Sequence, residues 1–271
     1  MKPKIGLYDT AFFNDKTSSK YYNDIPFEWN RYTPAECNIV VFTDQCLPMV
    51  NFASQISHIK IAWLVEPRSI NPNWYDFINN NYNNYDYIIT HDKEVGKLPN
   101  AVIVPFGGTW ICPTRWKIYN KSKDFSIIAS KKNFTIGHNL RHRIINKYHD
   151  KIDTFGYGYN PLNEKIYGMK DYYCSFAIEN ASIPGYFTEK IIDCFLTGCI
   201  PIYYGDPDIS DHFDTNGIIM INNDDIDEVF NIKPKDFYND RIKSIKHNFE
   251  AAKKYAACEL NIWKSLLSKI V

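Results

Sequence analysis

Short runs in which almost every residue is apolar recur through the N-terminal part of the chain: KIGLYD (4–9), NIVVFTD (38–44), IKIAWLVE (59–66), YDYIITHD (85–92) and AVIVPFGG (101–108). A strand with one wet face alternates apolar and polar residues, whereas a strand covered on both faces does not. These runs predict a parallel sheet sandwiched between helices, with helices placed near 50–57, 73–80 and 93–97. Periodicity is lost in TWICPTRWKIYNKSKD (109–124), the natural place for a linker.

The pattern then restarts. FSIIAS (125–130), IDTFGYG (152–158), YYCSFAIEN (172–180), CIPIYYG (199–205) and GIIMIN (217–222) read as strands. Residues 137–150 place Leu140, Ile144, Ile145 and Tyr148 on one helical face. A further helix spans 188–197 and stops at Gly198, and long helices fill 234–257 and 259–269. Two strand–helix alternations predict an α/β protein of two Rossmann-like domains facing across a cleft, 1–115 and 116–271. The final helix is free to pack back on the first domain.

Lys+Arg and Asp+Glu are 31 each, so the formal net charge is zero, which argues against nucleic acid as a general partner. The seven cysteines are an odd number, scattered and without CxxC spacing. That usage suits a reducing compartment and no structural zinc. The start, MKPKIGLYDTAFF, is too short and polar for a signal peptide, and no apolar stretch reaches membrane-spanning length. The expectation is a soluble, cytoplasmic protein without a transmembrane segment; oligomeric state is not legible.

One local misfit points to chemistry. Thr188 is a good N-cap before IIDCFLTG, and Glu189 suits the positive end of a helix dipole, but Lys190 does not. A phosphate bound at the free N–H groups would make Lys190 a partner; otherwise it turns to solvent or pairs with a nearby carboxylate. Arg141, early in the preceding helix, repeats the oddity, with His142 and Arg143 beside it.

The stretch FAIENASIPGYFTEKIIDCFLTGCIPIYYGDP (176–207) closely resembles the donor-binding signature of the α-1,3/1,4-fucosyltransferases. WLVEPRS (63–69) and VIVPFGG (102–108) are weaker echoes of the same family in the expected order. The resemblance implies a GT-B-like, inverting enzyme that moves L-fucose from GDP-fucose to a glycan hydroxyl, α-1,3-type. It implies Lys190 and Arg141 or Arg143 on the pyrophosphate, Glu189 on the ribose hydroxyls, and Tyr186 and Asn180 along the ribose–phosphate region, beside Thr188. Glu179 would serve the sugar side or the loop's scaffold, and Glu66 would be the general base. No cofactor is required, with Mg or Mn at most stimulatory.

The same sequence also carries weaker patterns of other chemistries. DPD (206–208) and DDID (224–227) match the Asp-x-Asp pattern of metal-dependent transferases, but both stand where turns and N-caps favour Asp. His138 and His142 share a helical face without a third ligand. No G-x-G-x-x-G follows the first strand, against a dehydrogenase. Another nucleotide sugar, or a non-catalytic sugar-nucleotide or glycan-binding module, remains open.

Overall fold

The computed structural model describes residues 1–12, 14–51, 58–222 and 226–271. The chain divides into two compact units, Met1–Gly108 with Tyr255–Val271, and Thr109–Lys254. The first unit thus runs to 108, short of the expected 115, and takes in the C-terminal segment, in keeping with a last helix free to pack back on it.

Unit 1 carries a parallel sheet of β1 (Lys4–Tyr8), β2 (Glu28–Asn30), β3 (Ile39–Thr43), β4 (Ile59–Trp63), β5 (Tyr87–Thr90) and β6 (Ala101–Ile103), in the order β2-β1-β3-β4-β5-β6. β2, in the short run PFEWN, was not expected: three residues are too few to show a period. Strand alternation sorts the apolar runs onto two faces. Ile5, Leu7, Ile39, Val41, Ile61 and Trp63 form one core. Val40, Phe42, Ala62, Leu64 and Ile88 form the other.

Tyr75 and Ile78 of α1 (Pro72–Asn81) cover the second face. The expected helix at 93–97 is only a 3-10 turn, Val95–Lys97. Of the helix expected at 50–57, residues 52–57 lie outside the described residues, and Asp44–Asn51 form a 3-10 segment containing Pro48.

The first face is covered from the far end of the chain, by Cys258, Ile262, Leu266 and Leu267. The return is anchored at two glycines. Gly108 N–H donates to the Tyr255 carbonyl at 2.7 Å. Gly107 has φ +67°, and a Cβ there would stand 2.4 Å from that same carbonyl oxygen. Only glycine fits both the backbone conformation and the approach.

Unit 2 carries a second parallel sheet: β7 (Lys123–Ile128), β8 (Asp153–Phe155), β9 (Tyr172–Ile178), β10 (Ile200–Tyr204) and β11 (Ile219–Met220), ordered β11-β10-β9-β7-β8. α2 (Ile136–Lys147) lays Leu140, Ile144 and Ile145 on the face made by Phe125, Ile127, Cys174, Phe176, Ile200 and Ile202. α3 (Glu189–Leu196) packs against β9 and β10.

The expected helix at 234–257 breaks into α5 (Pro234–Asp240) and α6 (Ile242–Ala252), after a short α4 (Ile226–Val229). Asn239 and Asp240 are weak helix formers, and Arg241 leaves the helical region with ψ 15°. The last helix, expected at 259–269, is α7 (Cys258–Ser265).

Candidate functional site

In unit 2 the chain leaves β7 toward α2, and its sheet neighbours β8 and β9 lie on opposite sides of it. Such a switch point, beyond the carboxyl ends of the strands, is where open α/β sheets bind ligands. Two helices begin there, each properly capped. The Thr135 hydroxyl accepts from His138 N–H at 3.1 Å, and the Thr188 hydroxyl caps α3. At its other end α3 closes in a Schellman motif: Gly198, at φ +68°, donates to the Phe195 carbonyl and Cys199 to that of Cys194.

The start of α2 is held against the segment after β9. Gly137 N–H donates to the Asn180 carbonyl at 3.1 Å, and a Cβ on Gly137 would lie 1.8 Å from the Glu179 carbonyl oxygen. Arg141, one turn on and only 6 % exposed, donates through Nε and one terminal nitrogen to the Ile178 carbonyl. The same terminal nitrogen reaches the Asn180 side-chain oxygen at 3.1 Å. Burial lowers its pKa, against the charges of Glu179 and Glu189. Arg143 stands on the exposed face of α2 instead. The structure thus joins Arg141 to the segment Ile178–Asn180.

Lys190 is neither free in solvent nor misplaced. Its ammonium lies 3.2 Å from Glu179 Oε2 and 3.3 Å from Glu189 Oε1, and donates to the Thr188 hydroxyl at 2.9 Å. Glu179 is fully buried and also accepts from Thr188, from N–H at 2.8 Å and from the hydroxyl at 2.8 Å. Its position is that of a scaffold under the N-cap. Burial opposes ionisation of Glu189, but Lys190 and Lys165 outweigh it and hold that carboxyl below its usual range. Lys165 was not anticipated. It reaches Asp193 Oδ2 at 2.8 Å and Glu189 Oε1 at 3.8 Å, and no local pattern in KIYG announces it.

The connecting loop is pinned rather than loose. Gly185 N–H donates to Asp206 Oδ1 at 2.8 Å and the Ser182 hydroxyl to the Gly205 carbonyl at 2.7 Å. Tyr186, at its end, is 3 % exposed. Asp206, the first acid of DPD, is fully buried and also accepts from Asp208 N–H, so it organises this loop. Residues 224 and 225 of DDID lie outside the described residues.

His142 engages the Tyr159 hydroxyl and the Lys132 carbonyl, while His138 Nδ1 pairs with the Thr135 hydroxyl. Burial, with the cations Arg141, Lys132 and Lys190 nearby, lowers His138 to about 4, so it is neutral near pH 7. Among the described residues, no group of three or more His, Cys, Asp or Glu is arranged to hold a metal ion, and no helix is long and apolar enough to cross a membrane.

Glu66 belongs to unit 1, in the turn after β4. Its N–H donates to Asp44 Oδ2 at 3.1 Å, and the neighbouring Val65 N–H donates to Asp44 Oδ1 at 2.9 Å. Its carbonyl accepts from the Tyr75 hydroxyl at 2.8 Å. Asp44 directly follows β3 and opens the 3-10 segment. No sequence expectation singles it out, although an Asp just past a buried strand at the carboxyl edge of a sheet is the signal that marks it.

No protein-family model matches the chain. It is 34% identical over 64 residues to the alpha-(1,3)-fucosyltransferase FucT of Helicobacter pylori, covering 24% of this chain and 13% of that protein. It is 39% identical over 66 residues to alpha-(1,3)-fucosyltransferase B of Drosophila melanogaster, covering 24% and 14%. The matched segments are thus a small part of those relatives' length. A crystal structure of alpha1,3-fucosyltransferase with GDP superposes with a TM-score of 0.60 at 15% identity, over 100% of this chain and 92% of that one. Anabaena Alr3699/HepE in complex with UDP and glucose gives 0.61 at 11% identity, over 88% and 80%. The chain resembles α-1,3-fucosyltransferases in sequence over a segment, and its two parallel-sheet units have the GT-B glycosyltransferase fold.

Proposed function

We propose that the chain is an inverting fucosyltransferase that moves L-fucose from GDP-fucose to a glycan hydroxyl, α-1,3-type, without a required metal. What carries the reading is the cation cluster of unit 2: Lys190 at the first turn of α3 and Arg141 in α2, at two capped helix starts beyond the sheet's switch point. Backbone N–H groups, helix dipoles and fixed cations together suit a diphosphate. The short fucosyltransferase matches support the choice of sugar.

In this mechanism the acceptor O–H loses its proton to the Glu66 carboxylate as its oxygen bonds to fucose C1. The C1–O bond to the β-phosphate breaks, and its electron pair leaves with GDP. A positioned base contributes about 10²–10⁴-fold to such a step. Lys190 and Arg141 compensate the charge that develops on the leaving diphosphate. Lys190 is already bound to two carboxylates, so the donor's phosphates would share or take over its ammonium. Glu189, held ionised, is an acceptor for ribose hydroxyls.

The experiment is a donor screen with a chelator arm. Transfer or hydrolysis of GDP-fucose that survives EDTA is expected. Turnover of UDP-glucose instead would keep the site and change the sugar, a reading favoured by the fold shared with the UDP-glucose complex of Alr3699/HepE. Tight GDP-fucose binding with no turnover on any glycan tested would make the chain a binding module.

A further inference from the structure

We infer that Asp44 is the positioning residue of Glu66: its carboxylate clamps two successive N–H groups, Val65 and Glu66, and so fixes where the Glu66 side chain leaves the backbone. This role rests on Glu66 being the base. The clamp uses both oxygens, at 2.9 and 3.1 Å. It runs from Asp44, directly after β3, to the turn after its sheet neighbour β4, so it ties two adjacent strand ends at the carboxyl edge of the sheet. Asp44 is also, among the described residues, the non-glycine with positive φ, at 29°. Backbone in that region is strained for a non-glycine and persists where the surroundings hold it, commonly at functional sites.

The surroundings of Asp44 are unusually charged for a buried group. Asp9, after β1, has a buried side chain that accepts from Thr43 and Arg31, and the Glu66 charge acts on Asp44 from the turn after β4. Tyr75 and Cys46 lie close, with Arg68 stacked 4.4 Å over the Tyr75 ring and Asp92 paired to Arg68. His91, fully neutral by burial, sits 3.3 Å from the Tyr75 hydroxyl. Burial raises the Asp44 carboxyl to about 6, the two N–H bonds opposing and the Glu66 and Asp9 charges adding to the rise. Protonation removes the charge that strengthens both bonds and makes one oxygen a hydroxyl, a weaker acceptor for its N–H. The clamp therefore weakens as pH falls through about 6.

The test uses two variants chosen for backbone neutrality. Glycine and asparagine both tolerate positive φ, but Asp44→Gly keeps no acceptor and Asp44→Asn keeps one. Each should lower kcat by about 10- to 100-fold, the scale of a small misplacement of a catalytic group. GDP affinity should stay at the wild-type value, since the donor residues belong to unit 2. The wild-type profile of kcat against pH should show an acid-limb ionisation near 6 that both variants lack. An Asp44→Gly chain with wild-type kcat would mean that the residue serves only its backbone conformation. Lost activity with the ionisation near 6 intact would overturn the proposal as well. If neither variant folds, the wild-type profile decides, and an acid limb with no ionisation near 6 refutes the clamp's titration. A wild type inert on every donor overturns the function and this role together; loss in Glu66→Ala beside a fully active Asp44→Gly overturns this role alone.

Discussion

Replacing Lys190 by methionine keeps most of the stem and removes the charge, and the ion cluster at the start of α3 sets what should follow. Lys190 is 23 % exposed and stands 3.2 Å from Glu179, whose side chain is fully buried, and 3.3 Å from Glu189 at 18 % exposure. Removing one partner of a fully buried pair costs about 3–5 kcal/mol, and of an exposed pair about 0–1. Glu179 keeps its Thr188 bonds, so the loss at neutral pH should be about 2 kcal/mol, between those limits.

The pH dependence has a definite sign. In the wild type Glu189 is depressed against burial by Lys190 and Lys165. Its contribution is therefore present above the usual carboxylate range and is lost only as pH falls through its lower folded value. In the variant two carboxyls share no Lys190, and one has its folded pKa raised. Stability from that proton is present at low pH and lost as pH rises, so the deficit is widest near pH 7–8 and narrows toward pH 5.

Denaturant unfolding across that range measures the deficit, and calorimetric titration measures GDP. If Lys190 meets the diphosphate, losing a charge-assisted bond of about 1.5–3 kcal/mol weakens GDP roughly 10- to 150-fold. GDP affinity within about threefold of wild type, beside a lost 2 kcal/mol, would leave Lys190 a counterion and refute its role in binding. Unchanged stability would refute the ion cluster.

Glu66→Gln should lower kcat by about 10²–10⁴-fold with GDP affinity unchanged, read by steady-state transfer and titration. Gly137→Ala gains about 1 kcal/mol of helix propensity but sets a Cβ 1.8 Å from the Glu179 carbonyl; net destabilisation and weaker GDP binding are expected. Lys165→Met strips the cation from fully buried Asp193 and should cost about 3–5 kcal/mol in unfolding experiments. His138, lowered to about 4 from 6.5, binds its proton more readily when unfolded. Stability should therefore fall as pH drops from 6.5 toward 4, and His138→Gln should flatten that slope.

Much of the architecture was legible because its causes are local. Apolar runs without alternation announced two-faced parallel strands, and β3, β4 and β9 lie within the runs that predicted them. Thr188 and Gly198 marked the ends of α3 through cap chemistry that spans a few residues. The same locality made Lys190 visible as a cation at the wrong end of a dipole. Helices 93–97 and 234–257 were misjudged where propensity was weak and nothing nearby decided the matter.

What the sequence by itself determined is therefore the strand set, the capped helix and the presence of charge at its start. Tertiary structure alone decided the partners. Glu179 meets Lys190 because β9 and α3 are packed together; Arg141 reaches the Ile178 carbonyl because Gly137 lets α2 approach; Tyr255–Val271 joins the first unit because Gly107 and Gly108 receive it. Asp44 acts on Glu66 through adjacent strand ends 22 residues apart in the chain. Such contacts depend on how sheets and helices pack, and packing between distant segments leaves no period in the sequence to read.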